Sequence, residues 1–177
     1  MVFSLSNVVI QAAINSFGSD GIAGSTAEQN FEFMAYFVIN AFAQTATTFT
    51  SQNFAAQDKE RCKKIYRLCT FIGLASCLGL SLIFLIGRHL FIQIFSTDEN
   101  VIHYAMIRMW SVCLLELLTG VYEISGGCLR GMGHSMTPAV ITVLGTCVFR
   151  LVWVNTIYAV HRSYLMLMIV YPVSWVI

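Results

Sequence analysis

Charged residues are scarce in this chain of 177 residues. Only 11% of the residues are Asp, Glu, Lys or Arg, against about 25% in an average soluble domain, and the formal net charge is +1. This composition excludes a disordered chain, and the lack of a basic excess excludes a nucleic-acid-binding protein. We therefore expect no nucleic-acid partner. Hydrophobic residues reach 57% of the chain, which excludes a conventional soluble domain and indicates folding in a lipid bilayer.

The few charges are distributed so that long uncharged runs separate them. No charged residue occurs at positions 33–57 or at positions 68–87. Each of these runs exceeds the roughly 18 apolar residues that mark a candidate membrane-spanning helix. Two shorter uncharged runs each contain one of the only two prolines, Pro138 and Pro172. Because backbone groups in lipid must be hydrogen-bonded within their own segment, we predict that these runs are helices.

Six segments follow from this pattern, at 1–17, 28–55, 65–87, 101–127, 136–160 and 164–177. The fold class is predicted to be all-α, a polytopic membrane helical bundle. Gly18, Gly21 and Gly24 predict a turn after the first segment, and Pro172 predicts a kink in the last one. Because the first and last segments are short for membrane spans, we expect the chain to be a fragment of a longer membrane protein.

Basic residues are concentrated on one side of the predicted bundle. The loop between the second and third segments, with its edges, contains Lys59, Arg61, Lys63, Lys64 and Arg67. The loop after the fourth segment adds Arg130, whereas the opposite side has Arg88, Arg162 and, two turns into the fourth segment, Arg108. The positive-inside rule therefore predicts that the richer loops and both termini are cytoplasmic. We expect a multi-pass protein of the cell (inner) membrane.

Motifs for catalysis or metal binding are absent from the sequence. The six cysteines form no C-x-x-C pair, so we predict that they are small packing residues within the helices. Residues 131–136 begin like a Gly-rich phosphate loop but lack its third glycine, and no H-E-x-x-H motif occurs. The sequence therefore predicts neither an enzyme nor a bound metal or cofactor.

Polar residues recur every four positions in the first two segments. Such residues are costly in lipid and by default mark a transport pathway. The candidates for lining a cavity are Asn7, Gln11, Asn15, Tyr36, Asn40 and Gln44. For any one of them, hydrogen bonding between helices at about 0.6 kcal/mol per contact is the favoured interpretation. For the acidic members of the second row, Glu28 and Glu32, we favour a functional role.

Glu116 and Glu123 lie seven residues apart in the fourth segment. This spacing returns them to one helix face within about 20° and separates them by roughly 10 Å. Two carboxylates in a low dielectric can exchange a proton or bind a cation, as an ion-coupled carrier requires. Counting residues from the helix ends places Arg150 at a depth similar to that of Glu116. We therefore predict a structural ion pair between Glu116 and Arg150, which would leave Glu123 to titrate.

Two stretches of the chain resemble the multidrug and toxic compound extrusion (MATE) family. One is Thr50-Ser51-Gln52-Asn53, which leads into residues 58–64. The other is Gly-Gly-Cys-Leu-Arg-Gly-Met-Gly at 126–133, with Thr137-Pro138 after it. The resemblance implies that residues 1–177 are a C-terminal lobe of six helices, one half of a two-lobed transporter whose N-terminal six-helix half is missing.

The same resemblance implies a function and places its acids. Family members export cationic or amphipathic compounds in exchange for sodium ions or protons. Glu123 stands seven residues before the motif residue Arg130, and Glu32 stands where the family has an acid on the second helix of this half, so both would couple cations or bind substrate. Glu116 is not clearly covered by the motif. The sequence departs from the family at Phe54-Ala55-Ala56-Gln57, where Gly-Ala-Gly is common, and its first segment contains no acid. The coupling ion, sodium or proton, therefore stays open.

Two other functions compete with drug export. A flippase for lipid-linked precursors would hold phosphate in a cavity rimmed by several cationic residues, whereas here only Arg150 is deep in a predicted helix. A membrane assembly subunit that does not transport would tolerate replacement of Glu32 and Glu123 by glutamine.

Overall fold

The computed structural model describes the backbone of residues 2–176 and the side chains of residues 6–176 apart from Leu114. This part of the chain forms helices and no strand, which confirms the all-α prediction. The elements are α1 (Val2–Asn15), α2 (Gly18–Ala55), α3 (Lys59–Ile86), α4 (Arg88–Gln93), α5 (Glu99–Ser111), α6 (Leu117–Gly131), α7 (Met136–Tyr158) and α8 (Tyr164–Val176).

Helix α2 begins ten residues earlier than the sequence predicts. Gly21 and Gly24, predicted to be turn residues, lie inside the helix, and only Gly18, with a φ of 78°, adopts the left-handed conformation of a turn. Gly24 has a different role. A Cβ atom at this position would lie 2.5 Å from the backbone carbonyl oxygen of Val101, so glycine permits the close approach of α2 and α5.

Helix α2 is the centre of the bundle and packs against α3, α5 and α6. Small side chains on its buried face, such as Ala35, Ala43 and Ala46, leave room for the neighbouring backbones. On α6, a Cβ atom at Gly127 or Gly131 would lie 2.5 Å from a carbonyl oxygen of α2. Close packing of this kind stabilises helix association in lipid, where there is no hydrophobic force between helices.

Large apolar side chains cover the outside of the bundle. Phe71 is 75% exposed and Ile86 is 80% exposed. Among the described residues, two helices are both long and apolar enough to cross a membrane, namely Lys59–Ile86 and Met136–Tyr158. Only 33% and 22% of their apolar stretches are buried, unlike the core helix of a soluble protein. The apolar surface of these helices is therefore available to lipid.

Three of the predicted segments are not regular α-helices. The fourth was predicted to be continuous, but α5 ends at Ser111 and a 3₁₀ turn at Cys113–Glu116 precedes α6. Helix α7 contains π-helical stretches at Val143–Val148 and Val154–Tyr158. The last segment is interrupted at Ile169, close to the kink predicted from Pro172, because proline has no N–H to donate to the preceding turn.

The contact between α6 and α2 generates a stability prediction. We expect Gly127→Ala to force the two backbones apart and to lower the free energy of unfolding by roughly 1–3 kcal/mol, the usual cost of overpacking. The matched control is Gly79→Ala, because a Cβ atom at Gly79 meets nothing within 4 Å and alanine favours a helix. Thermal unfolding of the purified chain in detergent measures both variants. Equal midpoints for Gly127→Ala and Gly79→Ala would contradict the close contact.

Candidate functional site

A cavity of about 200 Å³ opens among α1, α2, α6, α7 and α8. Its wall contains carboxylate, amide, aromatic and guanidinium groups. The lining residues are Asn7, Gln11, Gln29, Glu32, Phe33, Tyr36, Glu116, Thr119, Tyr122, Glu123, Arg150, Tyr171 and Trp175.

The cavity brings together most of the residues singled out from the sequence. Those that line it are Asn7, Gln11, Glu32, Tyr36, Glu116, Glu123 and Arg150. Asn15, Asn40 and Gln44 are not among the lining residues of this cavity, so their role in lining a cavity stays a prediction. Four residues overshoot a helical turn by about 40°, so each row winds around its helix and leaves the cavity face. Asn15 instead accepts a hydrogen bond from Gln11 at 3.1 Å, Asn40 donates to the Tyr36 hydroxyl at 3.4 Å, and Gln44 is exposed.

Three carboxylates approach the cavity from two sides. Glu32 projects from α2, whereas Glu123 projects from α6 and Glu116 from the 3₁₀ turn that precedes it. Glu116 is only 2% exposed, and its Oε2 atom has no hydrogen-bond partner within the part of the chain that the structure describes. A buried carboxylate oxygen without a donor is costly, so this atom is a strong candidate to accept a proton or a cation.

Arg108 forms ion pairs with two carboxylates, more than any other basic residue among those described. The sequence did not predict these contacts. Its Nε atom lies 2.6 Å from Oε2 of Glu28, and its Nη2 atom donates to Oε2 of Glu32 at 2.6 Å. Nη1 donates to the Ser25 hydroxyl at 2.6 Å, and the guanidinium lies 5.3 Å from the ring centre of Tyr171. Arg108 is 1% exposed. The contacts join α5 to α2 and α8.

One signal in the sequence could have identified Arg108. Glu28 and Glu32 are four residues apart, so their carboxylates stack on one face of α2 and require a cation in lipid. Arg108, which the sequence places two turns into the fourth segment, lies in the last turn of α5 with its side chain buried. Glu28 and Glu32 therefore have a structural role as well as the predicted functional one, since both contact Arg108.

The predicted ion pair between Glu116 and Arg150 was wrong. No nitrogen–oxygen distance of 4 Å or less joins these two described side chains, although both line the cavity. Arg150 donates from Nε to the Ser174 hydroxyl at 3.0 Å and from Nη1 to Oδ1 of Asn7 at 3.2 Å. The depth count assumed regular α-helices, whereas Glu116 ends a 3₁₀ turn and π-helical stretches flank Arg150.

Glu123, which was expected to be left to titrate, has a basic neighbour on its own helix. Its Oε2 atom lies 3.6 Å from Nη2 of Arg130, seven residues later on the same helix. The distance exceeds that of a hydrogen bond, and both side chains retain access to solvent. The guanidinium of Arg130 is therefore near Glu123 but not hydrogen-bonded to it, and the Glu123 carboxylate can still bind a ligand in the cavity.

Comparison with protein families identifies the fold. The MatE family model matches residues 1–155, which is most of the chain. The chain belongs to the MatE family. Transporters of this MATE family are membrane proteins and are not enzymes. A comparison with curated proteins gives no significant match.

Two solved structures of MOP superfamily transporters superpose on this MATE chain. One is a transporter from Pyrococcus furiosus described as having a binding pocket of reverse polarity, with a TM-score of 0.84. The other is a multidrug resistance transporter of the MATE family in an outward-facing conformation, with a TM-score of 0.81. Each is 14% identical over 99% of this chain, and this chain covers 39% of each. The likeness shows that the chain has the transporter fold and spans about two fifths of these structures.

The burial of Arg108 generates a second stability prediction. Arg108→Met leaves two carboxylates in the bundle without their cation, so we expect the free energy of unfolding to fall by about 3–5 kcal/mol. The control is Arg162→Met, because Arg162 is exposed. Chemical unfolding in detergent measures both variants.

A compensating variant separates charge from packing. Adding Glu28→Gln and Glu32→Gln to Arg108→Met should recover much of the lost stability, because no buried carboxylate is then uncompensated. If Arg108→Met unfolds at the same denaturant concentration as Arg162→Met, the ionic contact does not hold the bundle together.

Proposed function

We propose that this MATE protein is one half of a secondary-active efflux transporter for cationic or amphipathic compounds. In this proposal, export is driven by antiport of sodium ions or protons at carboxylates of the cavity. The observation that carries the proposal is the convergence of Glu32, Glu116 and Glu123 on one cavity. A carrier that exchanges cations needs ionisable groups inside the membrane. Because such groups are costly there, their presence indicates a transport pathway.

The charge balance of the cavity favours a positively charged cargo. With their neighbours included, the carboxyl groups of Glu28, Glu32, Glu116 and Glu123 face the guanidinium groups of Arg108, Arg130 and Arg150, a formal charge of −1 when all seven are ionised. The remaining negative charge acts in a low dielectric, where its attraction for a cation is stronger than in water. A flippase would hold a phosphate with several cations, but Arg150 is the single basic residue among the lining residues described here. Cation export is therefore better supported than transport of a phosphate-bearing lipid precursor.

Aromatic rings give the cavity a second means of holding an organic cation. Phe33, Tyr36, Tyr122, Tyr171 and Trp175 all contribute to its lining. A ring face attracts a cation within about 6 Å, and the same ring packs against apolar parts of an amphipathic molecule. Carboxylates and aromatic rings in one cavity suit a cargo that is both charged and apolar.

Arg108 suggests how an incoming cation is accommodated at Glu32. In the structure, Arg108 occupies Oε2 of Glu32 while its Nε atom lies beside Glu28. A cation that binds Glu32 would compete with Nη2 of Arg108, and Glu28 would still compensate the arginine. Glu116, from the 3₁₀ turn, and Glu123, from α6, would face the same cation from the other side of the cavity. This arrangement couples occupancy of the cavity to the contact between α2 and α5.

Alternating access supplies the transport cycle in this proposal. The cavity would lie between this half and the missing N-terminal half, and the halves would rock to open it to one side of the cell (inner) membrane at a time. In this proposal both ends of the chain are cytoplasmic, as the positive-inside rule predicts. The superposed structures are more than twice as long as this chain, which supports a partner half.

Replacing the cavity acids tests the proposal. In cells that carry this chain together with its N-terminal half, Glu116→Gln and Glu123→Gln should each abolish export of ethidium, because a neutral amide cannot compensate a cation. Glu32→Gln should do the same. Fluorescence of accumulated ethidium measures export.

The matched control is Glu99→Gln at the exposed start of α5. It should leave export at the wild-type level, and all variants should insert into the membrane equally. Wild-type export in the three cavity variants would contradict the proposal, because these carboxylates would then have no part in export.

A further inference from the structure

One exposed face of α3 changes from basic to apolar within a single turn. Arg67 and Leu68 follow Lys64 by three and four residues, and Phe71 follows them by four and three, so all four lie on one side of the helix. All four side chains are exposed, and Phe71 is 75% exposed. From Leu68 to the end of α3 there is no further charged residue.

This change locates the edge of the hydrocarbon layer on α3. The apolar face beyond Leu68 is exposed in a helix that is long and apolar enough to cross a membrane. Lys63 and Lys64 precede Leu68 by four or five residues, which corresponds to roughly 6–8 Å along a helix axis. Cationic side chains at this distance from the hydrocarbon lie at the level of lipid headgroups and can extend their charges towards them.

The basic side chains outnumber the acids available to pair with them. Residues 58–67 contain five basic residues and two acids, Asp58 and Glu60. Asp58 is already paired with Arg61 at 3.1 Å, and Glu60 with Lys63 at 2.9 Å. Lys59, Lys64 and Arg67 have no ion pair within 4 Å among the described residues.

The surface between these side chains is an open depression of about 490 Å³. It is lined by Glu60, Arg61, Lys63, Lys64, Arg67 and Leu68. Four of these six residues are cationic, and Leu68 forms the edge that continues into the apolar face. The depression shares no residue with the transport cavity, so what it binds is independent of the function proposed above.

We propose that the basic face of α3, formed by Lys64 and Arg67, binds the headgroups of anionic phospholipids. The occupant follows from two observations. The excess positive charge is complementary to a lipid phosphate, and the face is continuous with the surface that contacts acyl chains. A soluble anion would use the charges but would gain nothing from the apolar edge. An anionic lipid satisfies both parts of the surface at once.

Spin-labelled lipids test this assignment. The purified full chain is reconstituted in phosphatidylcholine vesicles that contain a small fraction of spin-labelled phosphatidylglycerol or spin-labelled phosphatidylcholine. The immobilised fraction of each label gives the preference of the protein for the anionic lipid. We expect a severalfold preference that weakens at high salt and falls towards unity in Lys64→Gln/Arg67→Gln, because each charge contributes up to roughly fivefold.

The matched control removes the same charge elsewhere. Arg88→Gln/Arg162→Gln lies outside the basic face and should keep the wild-type preference. Circular dichroism should show equal helix content for Lys64→Gln/Arg67→Gln and the wild type, since both replaced residues are exposed. An unchanged preference in Lys64→Gln/Arg67→Gln overturns the proposal. Loss of the wild-type preference on adding inorganic phosphate, but not on adding the same ionic strength of chloride, also overturns it, because the site would then bind free phosphate.

Discussion

Compensation of buried charge is the constraint on which the rest of this bundle depends. Glu28 is fully buried on α2, and a lone carboxylate in such a place would be uncompensated. Arg108 meets this requirement for Glu28 and Glu32 together, at 2.6 Å from each. Because α2 is the central helix, the same arginine positions α5, and through the ring of Tyr171 it contacts α8.

The ionic contact and the cavity are parts of one network. Glu32 holds Arg108 and lines the cavity, while Tyr171 lies between two guanidinium groups, 5.3 Å from Arg108 and 4.6 Å from Arg150. Arg150 continues the network to Asn7 on α1 and Ser174 on α8. Direct contacts therefore connect the cavity to five helices, α1, α2, α5, α7 and α8, as the proposed carrier with two conformations requires.

The sequence predicted the all-α fold and the faces of the helices better than it predicted which side chains form ion pairs. Uncharged runs identified the long helices, and four-residue spacing placed Glu32 and Tyr36 on the cavity side of α2. The same spacing could not show that Arg108, 76 residues beyond Glu32, would be the cation that neutralises it. Depth counting failed for Glu116 and Arg150 because 3₁₀ and π-helical turns change the rise and rotation along the chain. Gly24 was misread because close packing and a turn both favour glycine.

The location of lipid contacts and of the cavity also follows from tertiary structure. The uncharged run of α3 predicts a membrane span, but only the fold shows which of its faces is exposed and which packs on α2 and α6. Likewise, Glu116 and Glu123 share a face by spacing alone, whereas their meeting with Glu32 requires α2 and α6 to be neighbours. Gly127 and Gly131 are the local sequence feature that allows α2 and α6 to pack closely.

Direct binding of a cation to the purified chain tests the central claim, which is that carboxylates of this cavity hold cationic cargo. Fluorescence anisotropy of ethidium, titrated with the chain in detergent, gives the dissociation constant without a requirement for transport. We expect saturable binding that is weakened at least tenfold by Glu116→Gln and is unchanged by Glu60→Gln, at the exposed start of α3 and outside the cavity. Binding of equal affinity in Glu116→Gln and the wild type would contradict the account.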